Sequence, residues 1–381
     1  MSARARLRTA AAVALTVVAT AGSAALLTGC GPTADGQSTA APAGSSAAAL
    51  ALAGATPSVT ASAPAGAPTT STSAATPSAT ASSSATTGKT TATSAGTGKT
   101  GASKPATAPN GTAGTSLTIS DGTRYVLMNG AAVDFGTAVR DLAWSPDGTK
   151  AAFINEAGDL VVANPDGSGR VVVARNPGGQ TWSHPTWQVA AAESEYSLPA
   201  KNNLLFAASQ DGVLRLKRVP AGTGTASPTD LPLNTYSDED AVPLPQTGNT
   251  WPNAGGHHGS AVYANNGTGE VFIRDEYLRQ QGMAIGKGSQ PTMSPDGEEI
   301  VFVRSVDGHD HLFATTDGGR QTRDLTPHAT TDYTEPAFSP DGRTIAVRTP
   351  AGIATLPADG SAAPTPVSDH AGLPAYRGGH R

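Results

Sequence analysis

One cysteine in 381 residues, Cys30, rules out an internal disulfide, so any fold here must rest on its own apolar core. Aromatic residues make up 5% of the chain and charged residues 14%. The formal net charge is −5, and no basic stripe runs through the sequence. A chain without such a stripe has little to release counterions from a phosphate backbone, so nucleic acid is not an expected partner. Two further absences narrow the chemistry. There is no G-x-S-x-G, so the nucleophile elbow of a hydrolase is missing, and there is no H-E-x-x-H. With a single thiol, a cysteine-based metal set is impossible as well.

The first thirty residues carry an address. Arg4, Arg6 and Arg8 come with no acid, and an Ala-, Val- and Leu-rich stretch follows from Ala10 to Leu27. This is the layout of a secretory signal. An uncleaved anchor shares the same apolar length. The ending "LTGC" at Leu27–Cys30 resembles the bacterial lipobox. That resemblance implies a signal peptide over 1–29 and acylation of Cys30 (diacylglyceryl and palmitate-type chains). It places the protein on the extracytoplasmic face of the cell membrane, with membrane lipid as its first partner. Two acyl chains anchor stably where one binds marginally.

From 30 to 115 the chain is almost wholly Ala, Thr, Ser, Gly and Pro, and Gly31–Gly114 holds no Phe, Tyr or Trp. Such a segment cannot bury enough apolar surface to offset its ordering entropy and is expected to be a disordered tether. A coil of this length spans roughly 50 Å r.m.s.. "GTGKT" at Gly96–Thr100 lacks the first glycine of a phosphate loop, because that position is Thr93.

Residues 116–381 read differently. The tetrapeptide SPDG occurs three times, at Ser145–Gly148, Ser294–Gly297 and Ser339–Gly342. Each copy follows a large apolar residue (Trp144, Met293, Phe338) and precedes an apolar run. Pro presets the first turn position and Gly takes the left-handed one, so each SPDG joins two buried strands as a hairpin. A second turn follows each: Asp166-Gly167, Asp317-Gly318 and Asp359-Gly360, with the glycines 19, 21 and 18 residues beyond those of SPDG. Each unit is thus four short antiparallel strands in about 40–45 residues, which is one propeller blade.

Two degenerate copies fill the interval between the first and second SPDG. One comprises "HPTWQ", "NLLFAAS" and "VLRLKRV"; the other is Ser260–Asp275, with Asn265-Asn266-Gly267 in the place of PDG. Asn234–Gly259 lies between them as an expected inserted loop. Arg124–Gly136 supplies outer strands that lack a first strand, and Leu373–Gly379 supplies that strand. The expectation is an all-β propeller of six blades, closed by a C-terminal strand that joins N-terminal ones. A seventh blade could hide only in the insertion.

These motifs resemble the TolB-type β-propeller, whose repeat carries an aromatic residue, SPDG, an apolar strand and a D-G-G-like turn. The resemblance covers roughly Ser116–Arg381. It implies the propeller fold and, more loosely, a protein-binding platform. TolB itself has an α/β domain where this chain has its tether.

In a propeller, residues just before each innermost strand gather around one mouth of the central channel. By that rule the rim comprises Arg140, Asp141, Trp182, His184, His257, His258, Gln290, Tyr333 and Glu335. A rim of charges, imidazoles and rings is suited to binding. His257-His258 and His309-Asp-His311 are spaced for metal, but neither shows a third ligand nearby in sequence. No cofactor, metal or catalytic residue is assigned. The function expected is a membrane-anchored binding module for an envelope protein or polymer. The alternatives are a propeller-type hydrolase, lyase or lactonase, and a small-ligand sensor, each using the channel mouth.

Overall fold

The computed structural model describes residues 110–222, 224–233, 243–277, 282–316 and 319–379. Cys30, the expected signal segment, the expected tether as far as residue 109 and Asp317-Gly318 lie outside them. Residues 110–115, read from sequence as the end of the tether, are described, with Asn110 bridging Ser368 and Thr112 buried. The described residues form six sheets of four antiparallel strands.

The first blade holds β1 (Leu117–Ser120), β2 (Tyr125–Met128) and β3 (Ala131–Asp134). The second holds β4 (Arg140–Trp144), β5 (Ala151–Ile154), β6 (Leu160–Ala163) and β7 (Val171–Ala174). The third comprises β8 (Gln180–Ala190), β9 (Lys201–Gln210), β10 (Val213–Pro220) and the short β11 (Thr229–Asp230). In the fourth are β12 (Asn249–Gly255), β13 (Ser260–Asn265), β14 (Glu270–Arg274) and β15 (Gly282–Lys287). The fifth has β16 (Ser289–Met293), β17 (Ile300–Val306), β18 (His309–Thr316) and β19 (Gln321–Asp324). The sixth has β20 (Thr334–Phe338), β21 (Thr344–Thr349), β22 (Gly352–Pro357) and β23 (Thr365–Ser368). Finally β24 (Leu373–Tyr376) returns to β1, pairing Leu117 with Tyr376 and Ser120 with Leu373. The innermost strands β24, β4, β8, β12, β16 and β20 contact one another in succession around a closed ring. The six-blade propeller with a composite closing blade is therefore as the sequence implies, and no seventh blade occurs among the described residues.

Each SPDG builds the same turn. Ser294 Oγ donates to Asp296 Oδ1 at 2.5 Å and accepts from the Glu299 N–H at 2.9 Å, while the Gly297 N–H reaches the Ser294 carbonyl at 2.9 Å. Ser339 repeats the set with Asp341 at 2.6 Å and the Thr344 N–H at 2.9 Å. Ser145 does so with Asp147 at 2.6 Å and the Lys150 N–H at 3.0 Å. The serine thus satisfies two turn groups that the strand ladder cannot reach.

The second and third strands of the blades supply most of the core, because both of their faces pack on neighbouring sheets. All four residues of β5 are buried, as are Val301, Phe302 and Val303 on β17. Buried clusters lie between successive blades; one joins Ile154 and Leu160 of the second blade to Trp182, Leu204 and Phe206 of the third. The seam at β24 is clasped from outside the sheet. Arg377 Nε donates to the Gly148 carbonyl at 2.7 Å, its guanidinium lies 5.4 Å from the Trp144 ring centroid, and Trp144 Nε1 donates to Thr118 Oγ1 at 2.9 Å.

The fourth blade corrects the sequence reading. Asn265–Gly267 does not replace SPDG; it joins β13 to β14, the second and third strands. The first strand is β12, which lies inside the stretch expected to be an inserted loop. Its turn to β13 is Gly256–Gly259, which carries His257 and His258. The cause is local: β12 reads NTWPNAG, with a proline and little apolar alternation, so it carries no strand signal. Residues 234–242 of that stretch lie outside the described residues. Among the described residues no helix is long and apolar enough to cross a membrane.

Candidate functional site

Five innermost strands contain the same irregularity. The pairing register slips between Arg140 and Ala143, Ser183 and Thr186, Thr250 and Asn253, Ser289 and Thr292, and Thr334 and Ala337. Inside each slip sits one non-glycine residue with left-handed backbone: Asp141 (φ 55°), His184 (51°), Trp251 (52°), Gln290 (49°) and Glu335 (52°). These are β-bulges, which re-aim a side chain and free its backbone from the ladder. Such a backbone costs of order 1–3 kcal/mol per residue, and it persists only where its surroundings hold it in place. β24 pairs with β1 without a slip, so the sixth position of the ring is the ordinary strand residue Leu373.

All six residues line one cavity of about 760 Å³ that runs along the innermost strands and reaches Ser145–Asp147, Ser294 and Pro340 at the turn end. Proline follows four of the five bulged residues and also Leu373: Pro185, Pro252, Pro291, Pro336 and Pro374. Proline suits this place because the innermost strand is a sheet edge facing the channel, where a missing N–H breaks no ladder.

Side chains from one blade satisfy the freed backbone of the next. Asp141 Oδ2 accepts from the His184 N–H at 3.0 Å, and Gln290 Oε1 accepts from the Glu335 N–H at 2.7 Å. Thr186 Oγ1 takes the Ala254 N–H at 3.1 Å, and Asn253 Oδ1 takes the Met293 N–H at 2.9 Å. The His184 ring packs on Trp251 with centroids 3.6 Å apart. These bonds join strands that share no ladder, and so they fix the channel's diameter.

The electrostatics are uneven around the ring. Burial pushes the Glu335 carboxyl up; Arg348, whose Nη1 lies 3.2 Å from Glu335 Oε1, pulls it down, and the charge of Asp141 raises it further. Asp141 and Glu335 occupy the two positions that flank Leu373, so two carboxylates stand either side of the one apolar ring member. Burial lowers the His184 imidazole, with Asp141 opposing, and His184 Nδ1 is closed off from solvent with no hydrogen-bond partner. The ring therefore combines an acid whose proton affinity is raised, an imidazole whose proton affinity is lowered, an amide and an indole around one opening.

Of the sequence-selected rim residues, the structure brings together Asp141, His184, Gln290 and Glu335. It does not bring the others there. Arg140 lies outside the cavity lining, with Nη2 3.4 Å from the Asn155 carbonyl oxygen. Trp182 is buried between the second and third blades, its ring centroid 4.8 Å from Phe206; it precedes the slip, and the bulge at His184 re-aims the histidine and not the tryptophan toward the channel. Tyr333 is half-buried against the core between the fifth and sixth blades. His257 and His258 lie on the β12–β13 turn, at the end of the strand away from the ring, since the first strand of their blade begins before them and not after. Trp251 takes the ring place assigned to them. The recurring X-Pro pair, present at Trp251-Pro252, was the sequence signal that marks it.

The other histidine pair is split. His309 Nδ1 lies 3.4 Å from Asp332, whereas the buried His311 has Nδ1 2.9 Å from Asp324 Oδ2.

No family model matches the chain, and no curated protein matches it. Solved structures do. TolB from Acinetobacter baumannii is 15% identical over 69% of this chain and 66% of that one, with a TM-score of 0.48. Hydrazine synthase from Kuenenia stuttgartiensis is 17% identical over 69% of this chain, with a TM-score of 0.49, and the match spans 44% of that enzyme's chain. The Cps50 (Swd1) β-propeller domain of Myceliophteria thermophila is 11% identical over 68% of this chain and 86% of its own, with a TM-score of 0.42. These likenesses concern the fold alone.

Proposed function

We propose that the chain is a membrane-anchored, extracytoplasmic binding module whose propeller engages an envelope protein or polymer through the ringed end of its channel. The observation that supports this most is the ring itself. Five blades each maintain a costly left-handed residue at the same place, and the five side chains span carboxylate, imidazole, indole and amide. A device needed only to shape the strand would not require that variety, whereas a recognition surface would. The lipobox-like Leu27–Cys30 and the long polar segment after it fit a domain held at a distance from a membrane.

One observation favours a second reading. Glu335 and His184 share the cavity, the first with raised and the second with lowered proton affinity, which is the arrangement of an acid–base pair in a small-molecule site. A hydrolase, lyase or lactonase, or a small-ligand sensor, would use them.

The deciding experiment is in-cell photo-cross-linking from a probe at position 335, with a second probe at the exposed Lys150 as control. The expected result is a discrete protein or polymer adduct from the ring that the control lacks. No adduct, with the protein folded and exported, overturns the binding-module reading and turns the search to small ligands of the cavity.

A further inference from the structure

We propose that Glu193, His257 and His258 form a binding site for a divalent zinc-type cation, between the arm of the third blade and the first turn of the fourth. The sequence offered two adjacent histidines and no third ligand. The fold supplies it from 64 positions away: His257 Nε2 and His258 Nδ1 lie 3.3 and 2.8 Å from the same oxygen of Glu193, Oε1.

All three donor atoms lie within 4.8 Å of one another. Two ligands at about 2.1 Å from a tetrahedral zinc are about 3.4 Å apart. The His257 pair already matches that, and the shorter His258 pair must open by about 0.6 Å to admit the ion. Two histidines and one carboxylate would leave a fourth position for water, and the His257 side chain is exposed.

Glu193 and His258 are held by something other than the cation. Glu193 sits in an isolated two-way bridge, its N–H donating to the Leu198 carbonyl at 2.9 Å and its own carbonyl accepting from the Leu198 N–H at 3.0 Å. The turn between them contains the 3₁₀ helix Ser194–Tyr196 and the left-handed Ser197. The His258 ring stacks on Tyr277 with centroids 4.1 Å apart, and Lys201 Nζ donates to the His258 carbonyl at 3.0 Å. Tyr277 is met in turn by Tyr196 from the arm, edge-on at 5.8 Å. Gln188 Nε2 bonds the Gly259 carbonyl at 2.9 Å. Lys201, the nearby cation, is drawn to Glu276 at 3.3 Å and leaves Glu193 to the imidazoles.

A simple ion pair between Glu193 and His258 accounts for less. Nδ1 of His258 is closed off from solvent, and the 2.8 Å approach lacks the alignment of a hydrogen bond, so this nitrogen has a lone pair or proton with no partner. A buried polar atom without a partner is costly, and a metal ion would satisfy it together with Glu193. His257 would gain nothing from that ion pair, yet it is placed at the same oxygen. The same turn in three other blades is SPDG, which needs no imidazole at all.

The test is isothermal titration of zinc chloride into the metal-stripped full chain, paired with the visible spectrum after cobalt(II) is added instead. One equivalent should bind, and the cobalt complex should show the absorption of a four-coordinate nitrogen–oxygen site. Glu193→Gln and His257→Ala should each weaken zinc binding by about tenfold or more. His257 is exposed, so its loss leaves the fold intact even where His258→Ala would not. His309→Ala, in the unrelated pair, should change nothing. Absence of saturable binding overturns the proposal, and so does binding that neither Glu193→Gln nor His257→Ala diminishes.

Discussion

At the scale of single residues, glycine is used here both for its backbone and for its lack of a side chain, and the two uses can be separated. Gly148 and Gly212 both close turns with left-handed backbone, at φ 66° and 78°. A Cβ at Gly212 would meet open space, whereas one at Gly148 would run into the carbonyl of Gly378 and the stem of Arg377. Gly212→Ala should therefore cost about 1 kcal/mol, the backbone penalty alone. Gly148→Ala should cost at least about 1 kcal/mol more, because the C-terminal segment must move off the first SPDG turn. Denaturant unfolding of the two variants reads the difference directly. Equal losses would mean that residues 377–379 contribute nothing to the turn they lie on.

At the scale of elements, the SPDG turn carries a pH dependence of its own. Ser294 donating to Asp296 and Ser339 donating to Asp341, with the backbone N–H groups of Glu298 and Arg343 added, hold both carboxyls below the usual aspartate value of about 3.9. A depressed carboxyl contributes stability that is present above its unfolded value and lost as pH falls through its folded one. His184, lowered by burial, adds its own decline from about pH 6.5 downward, while Glu335, raised by burial, works in the opposite sense. The turn's share is isolated by comparing the protein with Asp296→Asn/Asp341→Asn. The difference in unfolding free energy between them should be constant above about pH 5 and shrink as pH falls through the aspartate range. A difference that ignores pH would show that the charged form of the turn is not what the fold selects. These turns also explain what was legible beforehand. Serine, proline, aspartate and glycine act within four residues, so three hairpins, their strands and the blade count could be read from the chain. β12 could not, because its strand character comes from β13 and β8 beside it and not from its own polar sequence. The ring was half-legible for a related reason: Asp141, His184, Gln290 and Glu335 were placed by counting back from a recognised strand, and Trp251 was missed where no strand was recognised. Glu193 was out of reach altogether, since only the packing of two blades brings it to His257.

At the scale of the whole molecule, the least local interaction is the seam. Thr118 Oγ1 donates to the Ala375 carbonyl at 2.9 Å across a sequence separation of 257 residues. Closing a loop of that length costs on the order of 5 kcal/mol in chain entropy, by the logarithmic rule for flexible loops. Every other blade is built from strands adjacent in sequence and carries no such debt. The seam is therefore the place where the ring should open first, even though β1 is fully buried. The clasp outside the sheet opposes that opening: Arg377 holds the Gly148 carbonyl and covers Trp144, tying the last strand to the second blade as well as to the first. Native-state hydrogen exchange tests both statements at once. Amides of β1 and β24 should exchange through an opening of lower free energy than amides of β13 and β17. Arg377→Ala should lower that opening energy further while leaving β13 and β17 unchanged, because it removes a contact that only the closed seam makes. If seam amides are protected as fully as the core of the fourth blade, and the substitution shifts all of them together, then the ring opens only when the whole molecule unfolds. The C-terminal strand would then be part of a single cooperative unit, and a ligand could enter the channel only through its two mouths.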